Sequence, residues 1–158
     1  SGFGILNIRE GSEVKTKSLD HAPLLSIVGT EVRIIDFDQI EGNLLGILVE
    51  GFGRFKVKNT WEEKDHLLMG EVEPIKDEAD CKLLENDGAL VKILKELVKH
   101  PMVEKLKLGI DYSNGVDVSY RLTELLPLDL TVKQSLLELV DTQQRLLELN
   151  KLVKGFQK

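Results

Sequence analysis

From Leu45 to Val57 every second residue is apolar or glycine: Leu45, Ile47, Val49, Gly51, Gly53, Phe55 and Val57. Glu50, Arg54, Lys56 and Lys58 fall between or just after them. A period of two is the mark of an extended strand, because successive side chains leave opposite faces. Held through two glycines, it predicts one long strand that bends or bulges at Gly51 and Gly53. A tight hairpin there would also keep the parity. On this phase Leu48 and Phe52 lie on the face opposite Phe55 and Val57, among charges, where an apolar patch is a candidate protein-binding surface.

The same glycines could begin a phosphate loop, and the neighbouring residues decide against it. A dinucleotide fingerprint needs a third glycine and a following helix, whereas position 56 is lysine and RFKVKN has strand character. No G-x-x-x-x-G-K-[ST] string occurs. His21, His66 and His100 are scattered without metal-ligand spacing, and each reads as a surface or helix-end residue. No common serine-nucleophile string is present. Cys81 reads as a helical packing residue, and the pairs Glu62-Glu63 and Asp77-Glu78 as solvated acids. The residues present no catalytic, cofactor-binding or metal site.

Around Pro74 the apolar period changes. Before it, Val32–Phe37 and Leu68–Glu73 read as strands, FGILNI near the start as another, Gly42-Asn43 and Glu62–Asp65 as turns, and Ser18–Pro23 as a loop. Beyond it, Leu83, Leu90, Leu94 and Leu97 share a face of a helix expected over 80–99, stopped by Pro101. A shorter helix is expected over 117–126, ended by Pro127. Thr131-Val132-Lys133-Gln134 has the form of a capping box opening a last helix. Its stripe would be Val132, Leu136, Leu139, Val140, Gln143, Leu147 and Asn150, flanked by Leu146 and Val153. That face reads as core, with a dimer seam as the alternative. The expectation is an α+β protein: a β-rich subdomain over 1–76 and a helical subdomain over 77–158.

The chain has 158 residues and a formal charge of −6. That length buries enough apolar surface to fold without disulfides or metals. Lysines and acids are interleaved rather than gathered into the basic stripe that nucleic-acid binding needs, so nucleic acid is disfavoured. No apolar run approaches a membrane span, and with one cysteine the chain reads as soluble and cytoplasmic. Trp61, the single tryptophan, ends the long strand beside a charged turn; core packing is favoured there over contact with a partner.

The ordered set VGTEVRI at 28–34, VEGFGRFKV at 49–57 and MGEVEPI at 69–75 resembles the N-terminal, substrate-binding domain of Lon proteases. LLPLD at 125–129 and the KQSLLELVDTQQRLLELNKL that follows resemble the helical end of that family. The resemblance implies a PUA-like bent sheet or pseudo-barrel followed by a helical bundle. It also implies non-enzymatic recognition of unfolded or damaged polypeptides, with Leu48, Phe52, Arg54 and Trp61 as candidate contacts and no cofactor. A protease or a second copy of the chain are further partners to consider. The alternative is a nucleic-acid or small-ligand module, since PUA-like folds also bind RNA. The family's usual opening, a proline-containing strand and an F-E-x-R-Y-like helix start, has no counterpart here: the stretch is lost, lies outside this sequence, or the sheet is completed differently. Because a missing strand would expose an edge, the expectation is that these residues are not the whole polypeptide.

Overall fold

The computed structural model describes residues 3–11, 23–40, 42 and 44–156. The chain forms two compact units, Ser1–Asp77 and Glu78–Lys158. The first is antiparallel sheet and the second is helical, which is the expected α+β class.

In the first unit a four-stranded sheet has the order β1-β4-β5-β6, with β1 Phe3–Ile5, β4 Val28–Ile40, β5 Leu44–Glu62 and β6 Leu68–Ile75. Strands β2 Ile8–Glu10 and β3 Leu24–Leu25 pair separately. The alternating stretch is one continuous strand, so the hairpin alternative falls. Gly42 turns the chain from β4 to β5 with a positive φ of 85°, a conformation that costs glycine little. Asn43, His21 and most of the predicted 18–23 loop lie outside the described residues.

The register corrects the reading of the faces. Residues directly opposite in a ladder share a face. Glu31 lies opposite Gly53 and Val32 opposite Gly51, so Phe52 is an extra residue on β5. Such a bulge reverses the phase of everything beyond it. Gly51 and Gly53 therefore face opposite ways, although their sequence parity is the same. Further bulges occur at Ile35 on β4, where Ile34 pairs Val49 but Asp36 pairs Leu48, and at Lys58 on β5. Leu48 consequently shares the face of Phe55 rather than opposing it.

Phe55 is buried and explains two glycines. A Cβ on Gly4 would lie 2.5 Å from its ring, and one on Gly29 2.6 Å from it. Hydrogen atoms in place of side chains let the ring lie across β4 onto β1. Among the described residues Val28 and Val32 are the other buried apolar residues of this unit.

The second unit has α1 Gly88–Val98, α2 Pro101–Glu104, α3 Gly115–Leu125, α4 Leu130–Glu138 and α5 Thr142–Phe156. Leu90, Leu94, Val118, Leu122, Leu126, Leu136, Leu146, Leu149 and Val153 form its core. The helix expected from Asp80 begins only at Gly88, after a 3₁₀ turn over Glu85–Asp87. Residues 76–84 before it are neither helix nor strand apart from a bridge between Lys82 and Asn114, and Cys81 is not helical. Pro101 both stops α1 and opens α2, with His100 as N-cap, a position where a missing N–H costs nothing. Asn114 caps α3, its side chain accepting from the Val116 amide at 3.0 Å.

The expected single last helix is two helices. Asp129, not Thr131, is the N-cap of α4, and the chain is non-helical at Leu139–Asp141. Asp141 restarts it, its carboxylate accepting from the Gln143 amide at 2.8 Å. The restart shifts the buried stripe to Thr142, Arg145, Leu146, Leu149 and Val153, leaving Val140 and Leu147 exposed.

Candidate functional site

The outer half of the β4–β5 pair, 33–50, is a two-stranded ribbon. Among the described residues β1 pairs β4 only at 30–32, and β6 pairs β5 only from Arg54 onward. Both outer edges of the ribbon are therefore without a strand partner there, and unpaired edges are templates for an added strand.

The two bulges sort the ribbon's side chains. Cross-strand pairing places Ile34 with Val49, Phe37 with Ile47, and Gln39 with Leu45 on the face of Val32. The face of Phe55 receives Arg33 with Glu50, Asp36 with Leu48, Asp38 with Gly46, and Ile40 with Leu44. Ile40 lies over Gly46, where an added Cβ would come within 2.9 Å of it. The Val32 face is thus apolar apart from Gln39, yet Phe37 is 61% exposed and Leu45 68%. The opposite face carries the acids. Arg33 pairs with Glu50 at 3.4 Å and lies 5.1 Å over the Phe52 ring. The Asp36 carboxylate accepts from the Phe37 backbone amide at 2.8 Å.

The four sequence candidates are not gathered into one patch. Leu48 lies on the Phe55 face, and Phe52 is the bulged residue beneath Arg33. Arg54, paired with Thr30, and Trp61, paired with Met69, share the Val32 face. Leu48 and Trp61 stand roughly 40 Å apart along an extended strand, at about 3.3 Å per residue. Core packing does not hold for Trp61: it is 44% exposed, and its indole N–H donates to Glu63 Oε1 at 3.0 Å. Sequence reasoning missed Ile34, Phe37, Leu45 and Ile47 as a joint surface, because alternation alone cannot locate a bulge.

In the helical unit the chemistry is structural. Arg145 is fully buried and forks onto Glu78, with Nη1 at 2.9 Å and Nη2 at 2.7 Å from its two carboxylate oxygens. Its Nε donates to the Leu136 carbonyl, Nη2 to that of Leu139, and Nη1 to Ser119 Oγ. The Tyr120 ring stacks 4.0 Å from its guanidinium carbon. Every ion in this cluster has a partner, which buried charge requires. Cys81 Sγ lies 2.9 Å from Gln143 Nε2. Asp111 is exposed, and donation from the Ser113 hydroxyl, then from its backbone amide, holds its carboxyl below the usual range.

A shallow depression on α1 is lined by Lys92, Ile93, Glu96, Leu97 and His100, and a second, between α4 and α5, by residues that include Leu136, Gln144 and Glu148. The second also holds Ser135, whose hydroxyl donates to the Val132 carbonyl at 2.8 Å. Among the described residues no cluster of histidine, cysteine and carboxylates has metal-ligand geometry, and no helix is long and apolar enough to cross a membrane.

The family described as ATP-dependent protease La (LON) substrate-binding domain matches residues 3–155. A solved Lon N-terminal domain protein from Xanthomonas campestris is 30% identical with a TM-score of 0.70, over 94% of this chain and 74% of its own. The N-terminal domain of a Mycobacterium avium complex Lon protease has a TM-score of 0.51 at 16% identity, over 92% of this chain and 86% of its own, a likeness of fold. No curated protein matched the chain.

Proposed function

The chain belongs to the LON substrate-binding domain family, and from that premise we propose that it is a binding module for unfolded polypeptide, without catalysis of its own. The observation that carries this reading is the uncovered sheet. Of the twenty-five large hydrophobic residues exposed among those described, eighteen belong to the β unit. Exposed apolar surface on this scale marks an interaction site, and unpaired strand edges supply the backbone hydrogen bonds for an extended ligand. Leu48, Phe52, Arg54 and Trp61 remain candidate contacts. The β unit has nine basic and fourteen acidic residues, a balance that repels nucleic acid.

Binding to a reduced, carboxymethylated protein tests the reading, followed by fluorescence anisotropy with the native form of the same protein as control. The unfolded form should bind, and Phe52→Ala and Trp61→Ala should each weaken it. No binding across several unfolded proteins would end the proposal.

A further inference from the structure

We infer that α1 carries a docking surface for an acidic amphipathic helix of a partner protein. The inference does not rest on the polypeptide-binding reading, because the surface belongs to the helical unit and selects by charge and spacing.

Charge is unevenly placed along the chain. Residues 88–107 hold five lysines against two acidic residues, while the rest of the sequence holds sixteen basic against twenty-five acidic. Leu90 and Leu94 turn α1 into the core, and Ile93 and Leu97, one helical turn apart, are half-buried on its shoulder. Beside them runs a second row at the same spacing, Lys92, Glu96 and His100, all exposed. These two rows line the shallow depression on this helix. Lys99 neutralises Glu96, its Nζ 2.7 Å from the carboxylate, and Lys95 lies over the Tyr112 ring at 5.2 Å. Lys92 has no ion-pair partner among the described residues. His100 Nδ1 accepts from the Met102 amide at 3.3 Å, so the ring's own N–H is on Nε2. The depression thus has an apolar floor, an ammonium at one end and an N–H donor at the other, roughly 12 Å apart along the helix.

That arrangement selects its ligand. A carboxylate complements each end, and only a large apolar group is desolvated on the floor without loss. A helix meets both demands with glutamates at i and i+7 and leucines at i+3 and i+4, since these positions share one face. A lipid surface matches less well. The main apolar face of α1 is committed to the core, whereas an interfacial helix needs a whole apolar stripe to bury. With so little apolar area on offer, charge and spacing carry the discrimination. An unfolded chain presents this pattern only by chance, so the surface is distinct from the sheet.

Fluorescence anisotropy on the full chain tests this with a labelled, alanine-rich helical peptide that carries Glu-Ala-Ala-Leu-Leu-Ala-Ala-Glu, and with a scrambled peptide of the same composition. The ordered peptide should bind about tenfold tighter or more, and raised salt should weaken it. Lys92→Glu, at an exposed position, should weaken binding by about tenfold. His100→Ser, which keeps a cap on α2, should weaken it by a smaller factor. An excess of carboxymethylated protein should leave the peptide bound. Equal affinity for the two peptides, or undiminished binding by the Lys92→Glu variant, would overturn the inference and leave the polypeptide-binding reading standing. Displacement by the carboxymethylated protein would overturn it as well, since α1 would then belong to the site for unfolded chains. So would cosedimentation with vesicles of phosphatidylcholine and phosphatidylserine that Lys92→Glu abolishes, because a lipid surface would then be the occupant.

Discussion

The two units are nearly equal in length but spend their hydrophobic residues in opposite ways. Among the described residues the helical unit buries nine apolar residues in one core and leaves seven large ones exposed; the β unit buries three and leaves eighteen exposed. Burial of a large side chain contributes about 1.5–3 kcal/mol, so the helices hold themselves together while the sheet depends mainly on its ladder and the Phe55 contact. A unit whose apolar faces are already matched has little left to offer a partner.

The contrast can be broken from the helical side first. Arg145→Ala leaves Glu78 buried without its cation and strips donors from the Leu136 and Leu139 carbonyls. A loss of about 3–5 kcal/mol is expected, read as a lower urea midpoint in helical circular dichroism. A variant within 1 kcal/mol of the parent would mean that the cluster does not organise the unit. Leu94→Ala, in the middle of the core, should cost about 2–5 kcal/mol. The equivalent truncation on the sheet, Leu45→Ala, should fall within about 0.5 kcal/mol, and parity between the two would erase the distinction.

The sheet does have one intolerant point. A side chain on Gly29 would meet the Phe55 ring at 2.6 Å and the Ile5 carbonyl oxygen at 2.7 Å. Gly29→Ala should therefore destabilise by about 1–3 kcal/mol, while Gly88→Ala, with nothing within 4 Å, should be neutral or stabilising in its helix. Hydrogen exchange of the β4 amides would separate the two outcomes.

The smallest effect is electrostatic. Asp111 has a depressed pKa, so its hydrogen bonds to Ser113 contribute above the unfolded value and are lost as pH falls through the folded one. Ser113→Ala removes the hydroxyl and should move the Asp111 titration upward in an NMR pH series. An unmoved midpoint would assign the shift to the backbone amide alone.

Much of the fold was legible because its signals are local. Alternation marked β5 through both glycines, and Pro101 and Pro127 marked helix ends. The break at Leu139–Asp141 was missed because Leu139 and Val140 prolong the apolar run without glycine or proline. Its trace was Asp141-Thr142-Gln143-Gln144, the pattern of a helix start. Missing it shifted the stripe by a few residues and hid Arg145, which reads as a surface cation until the helix is placed in phase. The candidate surface was less legible still. Bulges at Ile35, Phe52 and Lys58 depend on the partner strand, and no single strand's sequence states them. Each reverses the faces beyond it, so Leu48 and Phe52 were correctly seen as exposed but assigned to the wrong side of the sheet.

Hydrogen exchange of the full chain, with and without a saturating carboxymethylated polypeptide, tests the division of labour most directly. The account predicts new protection along the β unit, greatest between Arg33 and Glu50, with α1, α3 and α5 unchanged. Protection confined to the helices, with the ribbon exchanging as before, would contradict it.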